Sequence, residues 1–184
     1  MGQVYLKALD GSHSEELKSF CESINEEYHT VDSHIFIFEV NTQQRLNLQM
    51  MLAGFQADMG ISLIVVEGFN QPSLMLHALE AASRYGLGRF LSLHELLLRM
   101  ILDHETMLMD ELDQHLMRVS PELIETARMY TRADGNAKLA AQSLYLHRNT
   151  FNYRMNKFID KSNLDIREPL LANLFILWQT YTTH

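Results

Sequence analysis

One run, 136–163, NAKLAAQSLYLHRNTFNYRMNKFIDKSN, gathers amides, hydroxyls and cations at helical spacing. Within it Phe151, Met155, Phe158 and Ile159 recur at i, i+4, i+7 and i+8, which marks one apolar helical face. At roughly 100° per residue, the opposite face carries Asn149, Asn152, Tyr153 and Asn156, flanked by Thr150, Arg154 and Lys157. An asparagine amide holds a donor beside an acceptor, so it can pair in bidentate fashion with an adenine edge in a DNA major groove. Thr, Arg and Lys at the flanks have donors suited to backbone phosphates. Arg148, at the helix start, is either another phosphate contact or a clamp onto the preceding helix. Tyr153 lies near the outward face, where its ring could equally pack against sugar or a neighbouring helix.

Position in the run suggests how such a helix would be held. Asn136 is placed to cap a short helix over 138–144, whose Ala140 and Ala141 allow close approach by a neighbour. Tyr145 and Leu146 form the turn, and His147 stands where the next helix is capped rather than where bases are read. Asn163 can end the second helix in a left-handed conformation, which asparagine tolerates. The pattern is that of a helix-turn-helix with a recognition helix. A merely solvated helix shows a polar face too, and the charge distribution favours the former. Residues 128–167 hold eight Lys or Arg against three Asp, a net of +5. Residues 1–127 hold seven Lys or Arg against nineteen Asp or Glu, a net of −12. A basic island in an acidic chain is the footprint of a phosphate-binding surface.

The run LAAQSLYLHRNTFNYRMNKF and the NLDI segment after it resemble the C-terminal helix-turn-helix of PucR/CdaR-type bacterial transcription regulators. The matching positions are Ala141, Leu144, Leu146, His147, Arg148, Asn149, Thr150, Phe151, Tyr153, Arg154, Leu164 and Asp165. Asn163 replaces the usual glycine of that pattern and keeps the cap. The resemblance implies a sequence-specific regulator of a catabolic operon that responds to a metabolite. Its expected partners are double-stranded DNA, a second copy of the chain, and a small-molecule effector acting through a sensor domain absent from this sequence. The chain would then be a truncated form or a naturally short member. Two other readings stay open: a protein-interaction module without DNA affinity, and a degenerate nucleotide-binding sensor.

The single cysteine, Cys21, excludes an intramolecular disulfide and any multi-cysteine metal site, and reads as a small hydrophobe on an amphipathic helix. No apolar run reaches about 18 residues and no basic-then-apolar leader opens the chain, so a cytoplasmic protein is expected. Neither His94-Glu95 nor His104-Glu105 has a second histidine at i+4, so the zinc motif is missing. With Asp103, Asp110, Glu111, Asp113 and His115 nearby, the region reads as a solvated acidic helix face. There is no phosphate-cradling glycine loop and no nucleophile elbow, and neither enzyme activity, metal nor cofactor is expected. The eleven methionines read as core filler.

The elements that precede the run read as a strand over 3–9, a helix from Ser14 to about Asn25, and strands over 28–31 and 34–40. A helix from Thr42 to Met59 ended by Gly60, a strand over 61–66, a helix over 71–85 stopped by Gly86 and Gly88, and a strand over 89–93 follow. Asp10-Gly11 and Asp32-Ser33 supply breaks. The order βαββαβαβ predicts an α/β domain with helices packed on a sheet, followed by an all-α helix-turn-helix domain. The expected boundaries are 1–95 for the α/β domain, 96–119 for a connecting helix, and 120–184 for the small domain. Ser120 caps and Pro121 opens a helix through Arg132 with Gly135 past its end, and Pro169 opens the last helix.

The order and position of the first domain resemble the GGDEF-like middle domain of the same regulators. Active members need paired glycines at the central hairpin for phosphate approach and carboxylates there for Mg²⁺. The corresponding hairpin, Tyr28-His29-Thr30-Val31-Asp32-Ser33-His34, has no glycine and only Asp32 as a carboxylate. The resemblance therefore implies a catalytically degenerate module with a structural, dimerising or ligand-responsive role.

Overall fold

The computed structural model describes residues 2–9, 14–32, 34–85 and 90–183, and divides into two compact units, Met1–Glu105 and Thr106–His184. In the first unit the elements run β1 (Gly2–Ala8), α1 (Ser14–Ile24), β2 (Tyr28–Asp32), β3 (Ile35–Val40), α2 (Thr42–Met59), β4 (Leu63–Gly68), α3 (Pro72–Tyr85), β5 (Phe90–Ser92) and α4 (Leu93–Leu102). The strands form a mixed sheet in the order β2-β3-β1-β4-β5. β1 runs antiparallel to β3 and β4, β2 antiparallel to β3, and β4 parallel to β5. The first four strands thus have the split βαβ arrangement, to which α3 adds a parallel edge strand. An α/β domain is what the sequence predicts here. The breaks at Asp10-Gly11, Ser33, Gly86 and Gly88 and the start at Arg89 lie outside the described residues, as does the side chain of Ser14.

Alternation along the strands sorts their side chains between two layers. Val4 and Leu6 of β1, Phe36 and Phe38 of β3, and Leu63 and Val65 of β4 join Leu17, Phe20, Leu48 and Leu52 of α1 and α2 in one core. Ile35 and Ile37 on the other side of β3 are buried too, so this interior strand is apolar on both faces. Cys21 is sealed in the first core. Burial, with Glu22 adding to it, pushes its thiol up to about 12, so it stays protonated and inert at neutral pH. Asn41 caps α2 with a reciprocal bond to Gln44, and Gly60 ends that helix at φ 64°.

Two boundaries differ from the pattern-based expectation, each for a physical reason. β4 lies two residues later than 61–66 and runs through Glu67 and Gly68. Glu67 is tolerated in the layer because Arg45 of α2 donates to its Oε1 from Nε at 2.8 Å and from Nη2 at 2.5 Å. The fully buried carboxylate passes over Gly2, where any Cβ would come within 2.0 Å of Oε1. The expected connecting helix over 96–119 is two helices, α4 and α5 (Met107–Leu116). Ser92 and Glu95 form a capping box that starts α4 earlier than expected. His104, at φ 62°, ends it: Glu105 N–H donates to the Met100 carbonyl and His104 N–H to that of Ile101, a Schellman cap without glycine.

The Arg45–Glu67 pair generates a prediction. Arg45→Met leaves a buried carboxylate without its cation and is expected to cost about 3 kcal/mol. Adding Glu67→Gln should recover part of that loss. Urea unfolding of the two variants checks it; equal losses would show that the pair is not what Glu67 depends on.

Candidate nucleic-acid interface

The second unit consists of α5, α6 (Pro121–Arg132), α7 (Ala137–Ser143), α8 (Arg148–Ser162) and α9 (Pro169–Thr182). Phe151, Met155 and Phe158 of α8 are buried, as their spacing predicts. Phe158 meets Phe175 of α9 edge to face at 5.4 Å, and Phe151 lies 6.4 Å from the Tyr130 ring of α6. Ala140 and Ala141 of α7 are buried, and such small residues let helices approach closely. α5 is bound into the same unit. Trp178 Nε1 donates to Asp113 at 2.8 Å, and the His115 imidazole Nε2 lies 2.8 Å from the Ser162 carbonyl at the end of α8. His115 therefore does not belong to a solvated acidic face; it is half-buried and engaged.

Caps fix where α8 begins and ends. The Asn136 side chain accepts from the N–H groups of Lys138 and Leu139 at the start of α7. α7 ends in a Schellman motif: Tyr145 at φ 55° donates to the Gln142 carbonyl, and Leu146 to that of Ala141. His147 Nδ1 then accepts from Asn149 N–H at 3.2 Å, capping α8. Asn163, at φ 56°, closes the helix with its N–H on the Ile159 carbonyl. Immediately beyond it, Leu164 and Ile166 are buried around Asp165. Burial alone would raise the Asp165 carboxyl, but side-chain and backbone hydrogen bonds from Arg167 hold it below the usual range.

With the apolar side of α8 anchored, Arg148, Asn149, Thr150, Asn152, Tyr153 and Asn156 are all exposed. Lys157 is half-buried, with its ammonium 5.9 Å from the Tyr153 ring centroid and 3.9 Å from Asp160. Arg154 stands apart. It is half-buried and forms an ion pair with Glu122 of α6. Its position only about 60° from Phe151 on the helix explains why: it borders the buried seam instead of the outward face. The helical spacing held that information, but the partner lies 32 residues away and no local signal names it. The α5 contacts, Trp178 with Asp113 and His115 with Ser162, were likewise missed because they span the unit. Among the described residues there is no cluster of three or more potential metal ligands, and no helix is long and apolar enough to cross a membrane.

Tyr145 is 97% exposed in a conformation that tyrosine adopts at a cost. Tyr145→Gly should relieve it and raise the unit's stability by about 1 kcal/mol. Tyr145→Val should lower stability instead. Thermal unfolding of both variants checks the sign, and a glycine variant that melts earlier would show that the ring itself stabilises the turn.

The comparison with known families agrees with this geometry. The model for the "PucR C-terminal helix-turn-helix domain" matches residues 123–176. A relative, the "Uncharacterized protein YxkF" of Bacillus subtilis (strain 168), is 38% identical over 63 residues, 34% of this chain and 21% of that protein. The chain thus spans about a fifth of the length of that curated relative. The crystal structure of a regulator of polyketide synthase expression from Bifidobacterium adolescentis is similar over 98% of this chain and 78% of its own, with 17% identity and a TM-score of 0.47. That likeness is too slight to assign fold or function. Residues 123–176, spanning most of α6 to α9, are similar to the PucR C-terminal helix-turn-helix domain.

Proposed function

We propose that this chain is a sequence-specific DNA-binding transcription regulator, or part of one, and that α8 is its recognition helix. The observation that carries the reading is the outward face of α8. It holds Asn149, Asn152 and Asn156 in solvent, on a helix whose rotation is fixed by three buried side chains and whose segment matches a regulator domain. Laid in a major groove, these amides read adenine edges, while Arg148, Thr150 and Lys157 meet phosphates. Arg154 borders this face, where its guanidinium pairs with Glu122 of α6. Tyr153, with Lys157 beside its ring, forms the edge of the surface.

One such helix makes few contacts, and the −12 charge over residues 1–127 opposes approach to DNA. A homodimer on two half-sites about 10 base pairs apart, or a multiple of that, supplies the missing contacts. The first unit then serves as a GGDEF-like dimerising or effector-responsive module without cyclase chemistry. Control of a catabolic operon by a metabolite fits the PucR type.

The roles within α8 separate experimentally. Asn152→Ala should relax preference at one base pair, costing about 1–3 kcal/mol there. Lys157→Ala should weaken binding to every sequence and reduce the slope of log affinity against log salt by roughly one. Affinities for a site selected from random DNA and for its scrambled form, taken across a salt series, distinguish the two. If the Asn152 variant keeps full specificity while the Lys157 variant loses it, the helix sits in the groove in another orientation.

A further inference from the structure

α2 buries Leu48 and Leu52 against the sheet, yet its opposite side is also apolar. Met50 is 81% exposed at the centre of that side. Within about 60° of it on the helix lie Leu46, Gly54 and Ala57, with the uncharged amides Gln43 and Asn47, all exposed. No residue in that sector carries a charge. Arg45 is turned to the far side by Glu67, and Asp58 lies outside the sector at about 80°. A solvated helix face in a chain with a formal charge of −8 would ordinarily carry charge.

Gly54 is the second anomaly. It stands in the middle of an 18-residue helix with no left-handed φ to require glycine, and a Cβ there would meet nothing within 4 Å. Glycine is the poorest helix former after proline, so the position weakens α2 with no return inside the fold. A return exists if another helix comes close. A two-fold axis through Met50 places each copy's residue n opposite the other's residue 100 − n. Leu46 then faces Gly54, Gln43 faces Ala57, and Met50 meets its own counterpart. The large side chain of one copy falls on the vacant position of the other, which is the self-complementarity that a two-fold interface needs. Absence of charge matters equally, because two acidic copies can approach only where neither presents a carboxylate.

We infer that the outward face of α2 is the surface through which two copies of this chain associate, as an antiparallel helix pair centred on Met50. A pair of this length is ~27 Å long and ~10 Å wide, so it buries on the order of 600 Å² in total, below the roughly 1,200 Å² of stable complexes. Association through it alone is weak and reversible, and a shared DNA site would raise its effective concentration. This deepens the dimer proposed above. Its test contains no DNA, so its failure leaves the reading of α8 intact.

Met50→Cys in the full chain places two thiols at the axis, while the native Cys21 is buried and stays out of the reaction. Under mild oxidation the variant should form disulfide-linked dimers about tenfold faster, or more, than Gln49→Cys, which is also exposed but points about 100° away. Adding Gly54→Leu to Met50→Cys should remove that advantage while leaving circular dichroism intact and thermal unfolding no lower, since position 54 has room for a side chain and leucine is the better helix former. In sedimentation across a concentration series, the average mass of the unmodified chain should rise, and that of Gly54→Leu should not. Equal cross-linking at positions 49 and 50, or association indifferent to Gly54→Leu, would overturn the inference.

Discussion

The edge-to-face contact between Phe158 and Phe175, with Phe151 beneath Tyr130, decides what α8 can do. A helix has one free rotation about its axis, and these rings remove it. Burial of an aromatic side chain is worth about 1.5–3 kcal/mol, far more than an exposed amide gains by turning inward. Once the rings are seated, the three asparagines have nowhere to point but outward. The Glu122–Arg154 pair bridges α8 to α6 on the same side, and the His147 and Asn163 caps determine which residues the helix contains. The outward display of these amides is therefore a consequence of the core.

Much of this was legible from spacing. Phe151, Met155 and Phe158 follow a helical period, and the run at Ile35–Val40 has the continuous apolar character of an interior strand. Local turn chemistry was legible where residue type or position announced it, as at Gly60, His147 and Asn163. The Schellman cap at His104 uses a residue that does not signal a left-handed conformation, so the break between α4 and α5 could not be read. Pairings across the fold stayed hidden for another reason. Arg45 with Glu67, Arg154 with Glu122 and Trp178 with Asp113 are set by which elements become neighbours, and charge and spacing along the chain do not encode that. Arg154 shows the limit well: its angle on the helix marks it as a border residue, whereas its type suggests a phosphate ligand.

The two units place their polar chemistry differently. In the first, the Arg45–Glu67 ion pair holds a buried carboxylate on β4, and the exposed side of α2 is kept neutral. In the second, α8 carries Arg148 and Lys161 exposed and Arg154 and Lys157 half-buried. Under the reading proposed above, the chain repels its own copies and nucleic acid except at those two surfaces. Under that reading, weak self-association and weak single-site DNA contact reinforce one another, and neither surface needs high affinity alone.

Methylation interference on a selected DNA site, with the full chain, tests most directly that α8 reads the major groove. Two blocks of interference from major-groove methylation of adenine N6 and guanine N7, about one helical turn or a multiple apart, are expected. Interference confined to methylation of adenine N3 in the minor groove, or a selected pool with no shared sequence, would contradict it.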